Sequence, residues 1–186
     1  MKEVRLHGRG GQGVVKASQL VVKAAVEGNA YGQFIPFFGV ERKGSPVFGY
    51  LRLSDREIRR RTQVYEPDIL IILDDSLVGM PETYLGLKPG GMIIINSTRS
   101  ASELDIPQQA RTVAYVDATG ISERLFGKNV PNTAVLGAFV RAAGLVEKKL
   151  LFSEIEKVFG PTNREAAEQG FSQVCIQTRE TGGRWK

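Results

Sequence analysis

Residues 4–18 read VRLHGRGGQGVVKAS, and this stretch decides the fold. Val4 and Leu6 alternate with polar residues, a pattern that predicts a β-strand. Beyond Gly13, apolar residues recur along one face of a helix that we expect to end at Gly28. Strand and helix are separated by four glycines within six positions: Gly8, Gly10, Gly11 and Gly13. Strand, glycine turn and helix together predict the first half of a βαβ unit.

The rest of the chain alternates strands and helices and then becomes helical. Apolar and β-branched runs predict strands over 47–53, 68–73, 92–96 and 111–116. Caps and apolar spacing predict helices over 118–126, 132–143, 153–159 and 163–174, and a short basic helix opened by a capping box at 54–57. We therefore expect a single Rossmann-like α/β domain over residues 1–178, with a largely parallel sheet and a helical C-terminal third. Residues 179–186 are expected to form a flexible tail.

Composition limits the chemistry that this chain can perform alone. Cys175 is the single cysteine and His7 the single histidine among 186 residues. One thiol excludes an internal disulfide, and one thiol with one imidazole cannot ligate an iron–sulfur cluster or a zinc finger. We expect His7 to be packed or hydrogen-bonded rather than catalytic. The N-terminus lacks a signal-peptide layout and no apolar run approaches ~18 residues, which predicts a cytoplasmic protein.

A formal net charge of +5 leaves a basic nucleic-acid-binding α/β protein open as an alternative. The densest basic stretch is 56–61, which contains four arginines. No recognisable nucleic-acid-binding module accompanies it, so a solvated helix face is the simpler interpretation. The third interpretation is that the basic stretch binds a phosphate-bearing ligand or an acidic partner.

The spacing Gly8-x-Gly10-x-x-Gly13 matches the local fingerprint of dinucleotide-binding folds, in which amides at a helix N-terminus hold a pyrophosphate. Such folds also place an acidic residue about 20 positions further on, where it binds the ribose hydroxyls. Residues 31–36, YGQFIP, contain no acid. A stand-alone NAD(P)-binding enzyme is therefore only an alternative, beside the interpretation that the glycines simply allow tight packing.

A second informative stretch is residues 36–46, PFFGVERKGSP, in which prolines and glycines frame one acid and two bases. Proline and glycine fix the course of such a loop, so it would present its charged residues at a defined place. A solvated connector with a local ion pair between Glu41 and Arg42 is the alternative.

Five blocks, in order along the chain, resemble one known family: HGRGGQGVVKAS, IPFFGVERKGSPVFGYLRLSD, PDILIILDDSL, LKPGGMIIINS and NVPNTAVLGAFVRAAGL. From about residue 3 to about residue 175 the chain resembles the gamma subunit of the 2-oxoacid:ferredoxin oxidoreductases, most closely the pyruvate type. Lys43 stands where the family commonly has arginine, and Ser45 where it has glycine or alanine; both are mild departures. The loop of the family's 2-oxoglutarate branch differs, which favours pyruvate or a branched-chain oxoacid.

The resemblance implies a subunit of a thiamine-diphosphate-dependent enzyme. That enzyme converts a 2-oxoacid, coenzyme A and oxidised ferredoxin into acyl-CoA, carbon dioxide and reduced ferredoxin. The resemblance also implies alpha, beta and delta partner subunits that carry thiamine diphosphate, Mg²⁺ and [4Fe–4S] clusters, with ferredoxin reached through the complex. This chain alone is expected to bind no cofactor, membrane or nucleic acid and to be inactive. Its expected roles are assembly and the coenzyme A side of the site.

The phosphates of coenzyme A suit helix N-terminal amides and arginines. The candidate contacts are therefore the glycine turn, the stretch 36–46, which we call the charged loop, and the start of the 132–143 helix. The candidate residues are Gly8, Arg9, Gly10, Gly11, Gln12, Gly13, Glu41, Arg42, Lys43, Gly44, Asn132 and Thr133. For Asn132, helix capping is an equal alternative. Asp74 and Asp75, at a strand end, are expected to start the next turn. No catalytic or metal-ligating residue is expected in this chain.

Overall fold

The computed structural model describes residues 1–37, 46–180 and 183–186; the candidates Glu41, Arg42, Lys43 and Gly44 lie outside them. In the described chain, the strands are β1 (Lys2–Arg9), β2 (Tyr31–Phe37), β3 (Pro46–Ser54), β4 (Ile69–Ile72), β5 (Gly91–Asn96), β6 (Ala110–Val116) and β7 (Cys175–Thr178). The helices are α1 (Val14–Glu27), α2 (Ala118–Phe126), α3 (Asn132–Ala143), α4 (Lys148–Phe159) and α5 (Pro161–Gln173). All the strands join one sheet in the order β2-β3-β1-β4-β5-β6-β7, which confirms a single α/β domain with a helical C-terminal third.

Most strands of this sheet run in one direction. β1, β4, β5 and β6 are parallel neighbours. β3 lies antiparallel between β1 and β2, so β2 points the same way as β1 without touching it. β7 is antiparallel at the far edge. The prediction of a largely parallel sheet is therefore confirmed.

The position of β3 corrects the expected βαβ unit. β1, α1 and β2 follow one another, but β3 occupies the place beside β1 where a dinucleotide-binding unit has its second parallel strand. Because β3 is antiparallel to β1, it begins beside the glycine turn. Its last residue, Ser54, pairs with Tyr31 at the other end of the strands. The missing ribose-binding acid thus has a structural reason: no parallel strand ends beside the turn on that side.

The sheet is buried on its two faces by different structures. All five helices contribute to the core on one face, and 3₁₀ turns and loops that follow β4 and β5 cover β4–β6 on the other. β4 supplies both cores, with Ile69 and Ile71 on the helical side and Leu70 and Ile72 on the other. An uninterrupted apolar strand is what such two-sided burial requires.

α3 and α5 pack backbone against backbone. A Cβ on Gly137 of α3 would lie 2.8 Å from the backbone nitrogen of Phe171, and one on Gly170 of α5 would lie 2.6 Å from the carbonyl carbon of Ala134. Neither distance leaves room for a methyl group. Two glycines thus allow the backbones of α3 and α5 to contact each other directly.

Two predicted helices need correction. Residues 54–61 form no helix: Ser54 ends β3, and its hydroxyl accepts the N–H of Arg56 in an irregular, exposed segment. That stretch has a single apolar residue, Ile58, and so no face to bury. α4 begins at Lys148 rather than at 153, because Leu151 and Phe152 are buried with the rest of the helix.

Residues near the C-terminus form a strand and contacts that the sequence did not indicate. β7 was not expected, and beyond it Thr178 exchanges backbone hydrogen bonds of 2.9 and 3.1 Å with Lys186. The Arg179 guanidinium lies 4.4 Å from the ring centroid of Trp185, which packs against the second core. Described residues beyond 178 therefore contact the domain, while the boundary at 178 stays a prediction.

Candidate functional site

The glycine turn, residues 10–13, lies where β1 ends and α1 begins. At this edge the parallel strands of α/β proteins present ligand sites. Gly11, with φ 96°, and Gly13, with φ 81°, adopt the left-handed conformation that favours glycine. The predicted order of strand, turn and helix is confirmed, with Gly8 inside β1 rather than in the turn.

Packing explains two of these glycines. A Cβ on Gly8 would lie 2.6 Å from Cγ2 of Val14, and one on Gly13 would lie 3.0 Å from Cγ of Asn132. Around Gly11, no atom of the described chain lies within 4 Å of the place that a Cβ would take. The backbone at Gly11 is therefore the open part of the turn.

Gln12 ties the turn to the end of the neighbouring strand. Its buried side chain accepts the N–H of Arg9 at 2.8 Å through Oε1 and donates to Oδ2 of Asp74 at 2.6 Å through Nε2. Arg9 donates to the Ser76 hydroxyl at 2.7 Å and lies 3.6 Å from Asp74. Asp74 also accepts the N–H of Ser76 at 3.0 Å and caps the 3₁₀ turn Asp75–Leu77, as expected. Four residues thus form one hydrogen-bonded unit.

This unit holds Asp74 in its charged form. Partial burial alone would raise the pKa of the Asp74 carboxyl, but hydrogen bonds from Ser76 and Gln12 and the charge of Arg9 outweigh it and lower that pKa. The negative charge is already matched by these partners. The turn can therefore face an anion without an opposing, unmatched carboxylate.

The N-terminus of α1 is electrostatically open. Gly13 provides no side-chain cap, and the first turn of α1 contains no acidic residue. First-turn amides of a helix lack intrahelical acceptors and carry the positive end of the helix dipole. Lys16, exposed in that turn, adds a cation. Such a helix end favours an anionic ligand.

The start of α3 meets the turn through Asn132 but not through Thr133. Asn132 is buried with its amide against Gly13, and its Oδ1 accepts the N–H of Thr133 at 2.8 Å. Thr133 is fully buried, and its hydroxyl lies 3.4 Å from Oδ1 of Asn163 on α5. Pro131, rather than Asn132, occupies the cap position of α3, which corrects the capping alternative.

A polar cavity of about 300 Å³ adjoins the turn at the C-terminal ends of β4, β5 and β6. Gln12, Asp75 and Asn96 contribute to its lining. The Asn96 amide donates to the Thr119 hydroxyl at 2.9 Å, and Asp75 pairs with Arg99 at 2.7 Å. The turn therefore forms one wall of a larger polar cleft.

His7, just before the turn, is 2% exposed and packs edge-on against Phe48, with ring centroids 5.0 Å apart. Its Nε2 accepts a hydrogen bond from Nε of Arg5 at 2.9 Å. Burial, and then the charge of Arg5, lower the pKa of His7 to about 3, so the imidazole is neutral. The prediction of a packed, hydrogen-bonded histidine is confirmed.

Sequence reasoning misses Ser76 as part of the site. A serine two residues after a strand-end aspartate indicates a local turn, and Ser76 does make that turn with Asp74. Its contact with Arg9 spans 67 positions and leaves no local signal.

Residues 1–37, 46–180 and 183–186 contain neither a candidate metal site nor a candidate membrane span. No group of three or more His, Cys, Asp or Glu side chains there is placed to hold a metal ion. Nor has any helix in these ranges the length and apolar character needed to cross a membrane.

Residues 3–173 match the family model for pyruvate ferredoxin/flavodoxin oxidoreductase. The chain belongs to this family. It is 41% identical over 182 residues to the pyruvate/ketoisovalerate oxidoreductases common subunit gamma of Thermococcus kodakarensis, with 95% of this chain and 98% of that one covered. It is 39% identical over 181 residues to the gamma subunit of the NADH-dependent phenylglyoxylate dehydrogenase of Aromatoleum evansii, with 95% of both covered.

A solved structure indicates the same family. Pyruvate oxidoreductase subunit PORC of Thermotoga maritima matches with a TM-score of 0.83 and 31% identity, over 94% of this chain and 97% of that one. The chain is thus a gamma subunit of a 2-oxoacid:ferredoxin oxidoreductase, an oxidoreductase complex, which confirms the resemblance. Neither the stand-alone NAD(P)-binding enzyme nor the nucleic-acid-binding protein is supported by these similarities.

Proposed function

We propose that this gamma subunit serves a complex that oxidises pyruvate or a branched-chain 2-oxoacid, with coenzyme A as acyl acceptor and ferredoxin as electron acceptor. Its partners would be alpha, beta and delta subunits carrying thiamine diphosphate, Mg²⁺ and [4Fe–4S] clusters. The Thermococcus relative, named as common to pyruvate and ketoisovalerate oxidoreductases, supports this range of substrates. The Aromatoleum relative, from a phenylglyoxylate dehydrogenase, is almost as similar, so the choice of oxoacid would rest with the partners.

Within that complex, the glycine turn and the N-terminus of α1 would contact the phosphates of coenzyme A. The observation that carries this proposal is the backbone at Gly11, which has a left-handed conformation and lies open at the N-terminus of α1. The uncapped first turn of α1 supports it, because free amides and the helix dipole favour an anion. Asp74 is paired with Arg9 and accepts a hydrogen bond from Gln12, so no unmatched carboxylate would oppose the phosphates.

The charged loop extends the same proposal. Pro46, which follows this loop in the chain, pairs with Arg9 in the β1–β3 register. Arg42 and Lys43 therefore lie within four residues of a backbone position beside the turn. Two cations so near that position along the chain would suit the 3′-phosphate of coenzyme A.

Gly11→Ala in the assembled complex tests the contact with coenzyme A. A methyl group on the open backbone should raise the KM for coenzyme A roughly tenfold, which corresponds to about 1.4 kcal/mol of binding, and leave the KM for the oxoacid unchanged. Gly90→Ala is the matched control, since Gly90 also has a positive φ, 79°, with no described atom near its Cβ position, but precedes β5 at the opposite edge. Equal KM values in both variants would contradict the proposal.

Native-level co-purification tests the complex itself. We expect the tagged chain to bring down a thiamine-signature subunit and a small cysteine-rich subunit, with 2-oxoacid-dependent reduction of viologen dye. A chain recovered alone, from an extract without that activity, would overturn the assignment of partners.

A further inference from the structure

The sheet face opposite the helices carries an ordered patch of side chains over β1–β3. The register places Phe37 beside Phe48 and Phe48 beside His7 in one cross-strand row. The next row consists of Ile35, Tyr50 and Arg5. We call these six residues the aromatic face.

The rings of this face contact one another and reach solvent at the edge strand. The ring centroid of Phe37 lies 6.5 Å from that of Phe48 and 6.2 Å from that of Tyr50. Phe37 is 40% exposed, and Tyr31, on the same side of β2, is 48% exposed. Contiguous aromatic side chains at a surface are typical of protein interfaces, whereas single exposed apolar residues are common everywhere.

Beneath the rings lies a cation without a carboxylate partner. Arg5 is 8% exposed, and its hydrogen bonds go to the carbonyls of Thr83 and Leu85, at 3.0 and 2.7 Å, and to His7. No Asp or Glu of the described ranges forms an ion pair with it, whereas Arg52 on β3 pairs with Glu3 at 2.8 Å. A buried charge gains most from a partner of opposite sign, so this face complements an acidic group.

His7 adds a second unmatched group. Because Nε–H of Arg5 donates to Nε2, the proton of the neutral imidazole resides on Nδ1. Buried Nδ1 has no hydrogen-bond acceptor in the described part of the chain. Buried donors without acceptors are rare in folded proteins, so the described ranges leave the row that contains His7 incomplete.

We propose that the aromatic face is the docking surface for another subunit of the oxidoreductase complex, which places an apolar segment against Phe37 and an aspartate or glutamate near Arg5. The family supplies the multi-subunit assembly, the unmatched guanidinium selects an acidic residue, and the exposed ring of Phe37 supplies apolar contact area. The test of this surface measures assembly, whereas the test of the glycine turn measures the KM for coenzyme A, so either proposal can fail without the other.

Phe37→Ser and Val158→Ser form a matched pair for the test. Val158 is 44% exposed, close to the value for Phe37, but lies on α4 on the helical side. When complexes are purified through a tagged partner subunit, Phe37→Ser should lower the recovery of this chain several-fold with unchanged thermal unfolding. Val158→Ser should leave recovery unchanged. Equal recovery of the two variants would overturn the proposal.

His7 gives a direct readout because it is the only histidine of the chain. With ¹⁵N-histidine in this chain alone, the imidazole resonances should shift when unlabelled partner subunits are added. Arg5→Gln removes the charge and should abolish the salt dependence of association. Unchanged imidazole resonances on complex formation, or a salt dependence that survives in a folded Arg5→Gln chain, would contradict the docking of an acidic segment at this face.

Discussion

Gln12 is the residue on which the geometry of the glycine turn depends most directly. Its amide oxygen closes the turn on the N–H of Arg9, and its amide nitrogen joins the turn to Asp74. An amide accepts at its oxygen and donates at its nitrogen, which an ionised carboxylate cannot do. A carboxylate of the same shape would keep the first contact and turn the second into a repulsion.

Gln12→Glu should therefore lower the free energy of unfolding by about 1–3 kcal/mol at pH 7, since a buried hydrogen bond is replaced by two facing carboxylates. The like charges raise the pKa of the pair in the folded state, so the loss relative to the parent chain should shrink at pH 5, where one proton can be shared. Urea unfolding of both chains at the two pH values measures this. Gln19→Glu, exposed on α1, is the control and should have little effect.

His7 predicts how the stability of the subunit depends on pH. Its pKa is about 3 in the folded chain, against about 6.5 in an unfolded one, so between these values the unfolded state binds the additional proton. The stabilisation of the folded state by neutral His7 is complete above pH 6.5. On acidification the free energy of unfolding falls by about 1.4 kcal/mol per pH unit. Urea unfolding at pH 7, 6 and 5 measures how the free energy of unfolding depends on pH. His7→Gln should remove the part of this dependence that comes from the imidazole. An identical slope in both chains would refute the prediction.

The contact between α3 and α5 depends on the absence of side chains at two positions. Glycine inside a helix is normally unfavourable, and replacing it with alanine gains up to ~1 kcal/mol. At Gly137 the neighbouring atoms belong to the backbone of α5, so they cannot move aside by a change of rotamer. Overpacking should therefore outweigh helix propensity here.

Gly137→Ala should lower the free energy of unfolding by about 1–3 kcal/mol, the usual range for an overpacked core. Ser172→Ala, at an exposed position of α5, is the control and should change stability by less than about 0.5 kcal/mol. Thermal and urea unfolding measure both. A Gly137→Ala chain that is more stable than its parent would show that the two helices can separate without loss.

Elements were predictable where an apolar period and a boundary residue coincide. α2 and α3 follow the predicted ranges, 118–126 and 132–143, because each ends at a glycine with left-handed backbone, Gly127 and Gly144. The capping pattern at 54–57 misled, since Ser54 is held in β3 by pairing with Tyr31. The position of β3 beside β1 could not be read from sequence, because strand pairing depends on contacts far apart in the chain. The same distinction holds for the site. The glycine turn is local in sequence and was predictable, whereas the hydrogen bond between Arg9 and Ser76 was not.

The C-terminal residues bear on the stability of the whole domain. Trp185 packs against the core between the sheet and the 3₁₀ turns, and Arg179 reaches back to the carbonyl oxygen of Ile106 at 3.1 Å. These residues therefore cover part of the sheet face opposite the five α-helices.

Trp185→Ala should lower the free energy of unfolding by about 1–3 kcal/mol, less than for a fully buried tryptophan because the ring is partly exposed. Arg184→Ala, next to it and exposed, should be close to neutral. Differential scanning calorimetry of both variants and of a chain ending at residue 178 makes the comparison. If all three unfold like the parent, residues 179–186 are the flexible tail that the sequence predicts.

The antiparallel insertion of β3 changes what the strand beside β1 can deliver to a ligand. In a dinucleotide-binding fold, that strand ends next to the ligand and contributes one acidic side chain. Here β2 ends and β3 begins at that edge, so an entire connecting segment starts from Phe37 and returns at Pro46. Both anchor points are fixed in the sheet, so the segment can change in length and charge while the turn and helices stay in place. Grafting residues 38–45 between gamma subunits should therefore transfer ligand or partner preference without refolding the domain, which activity assays and thermal unfolding of the grafted chains would measure.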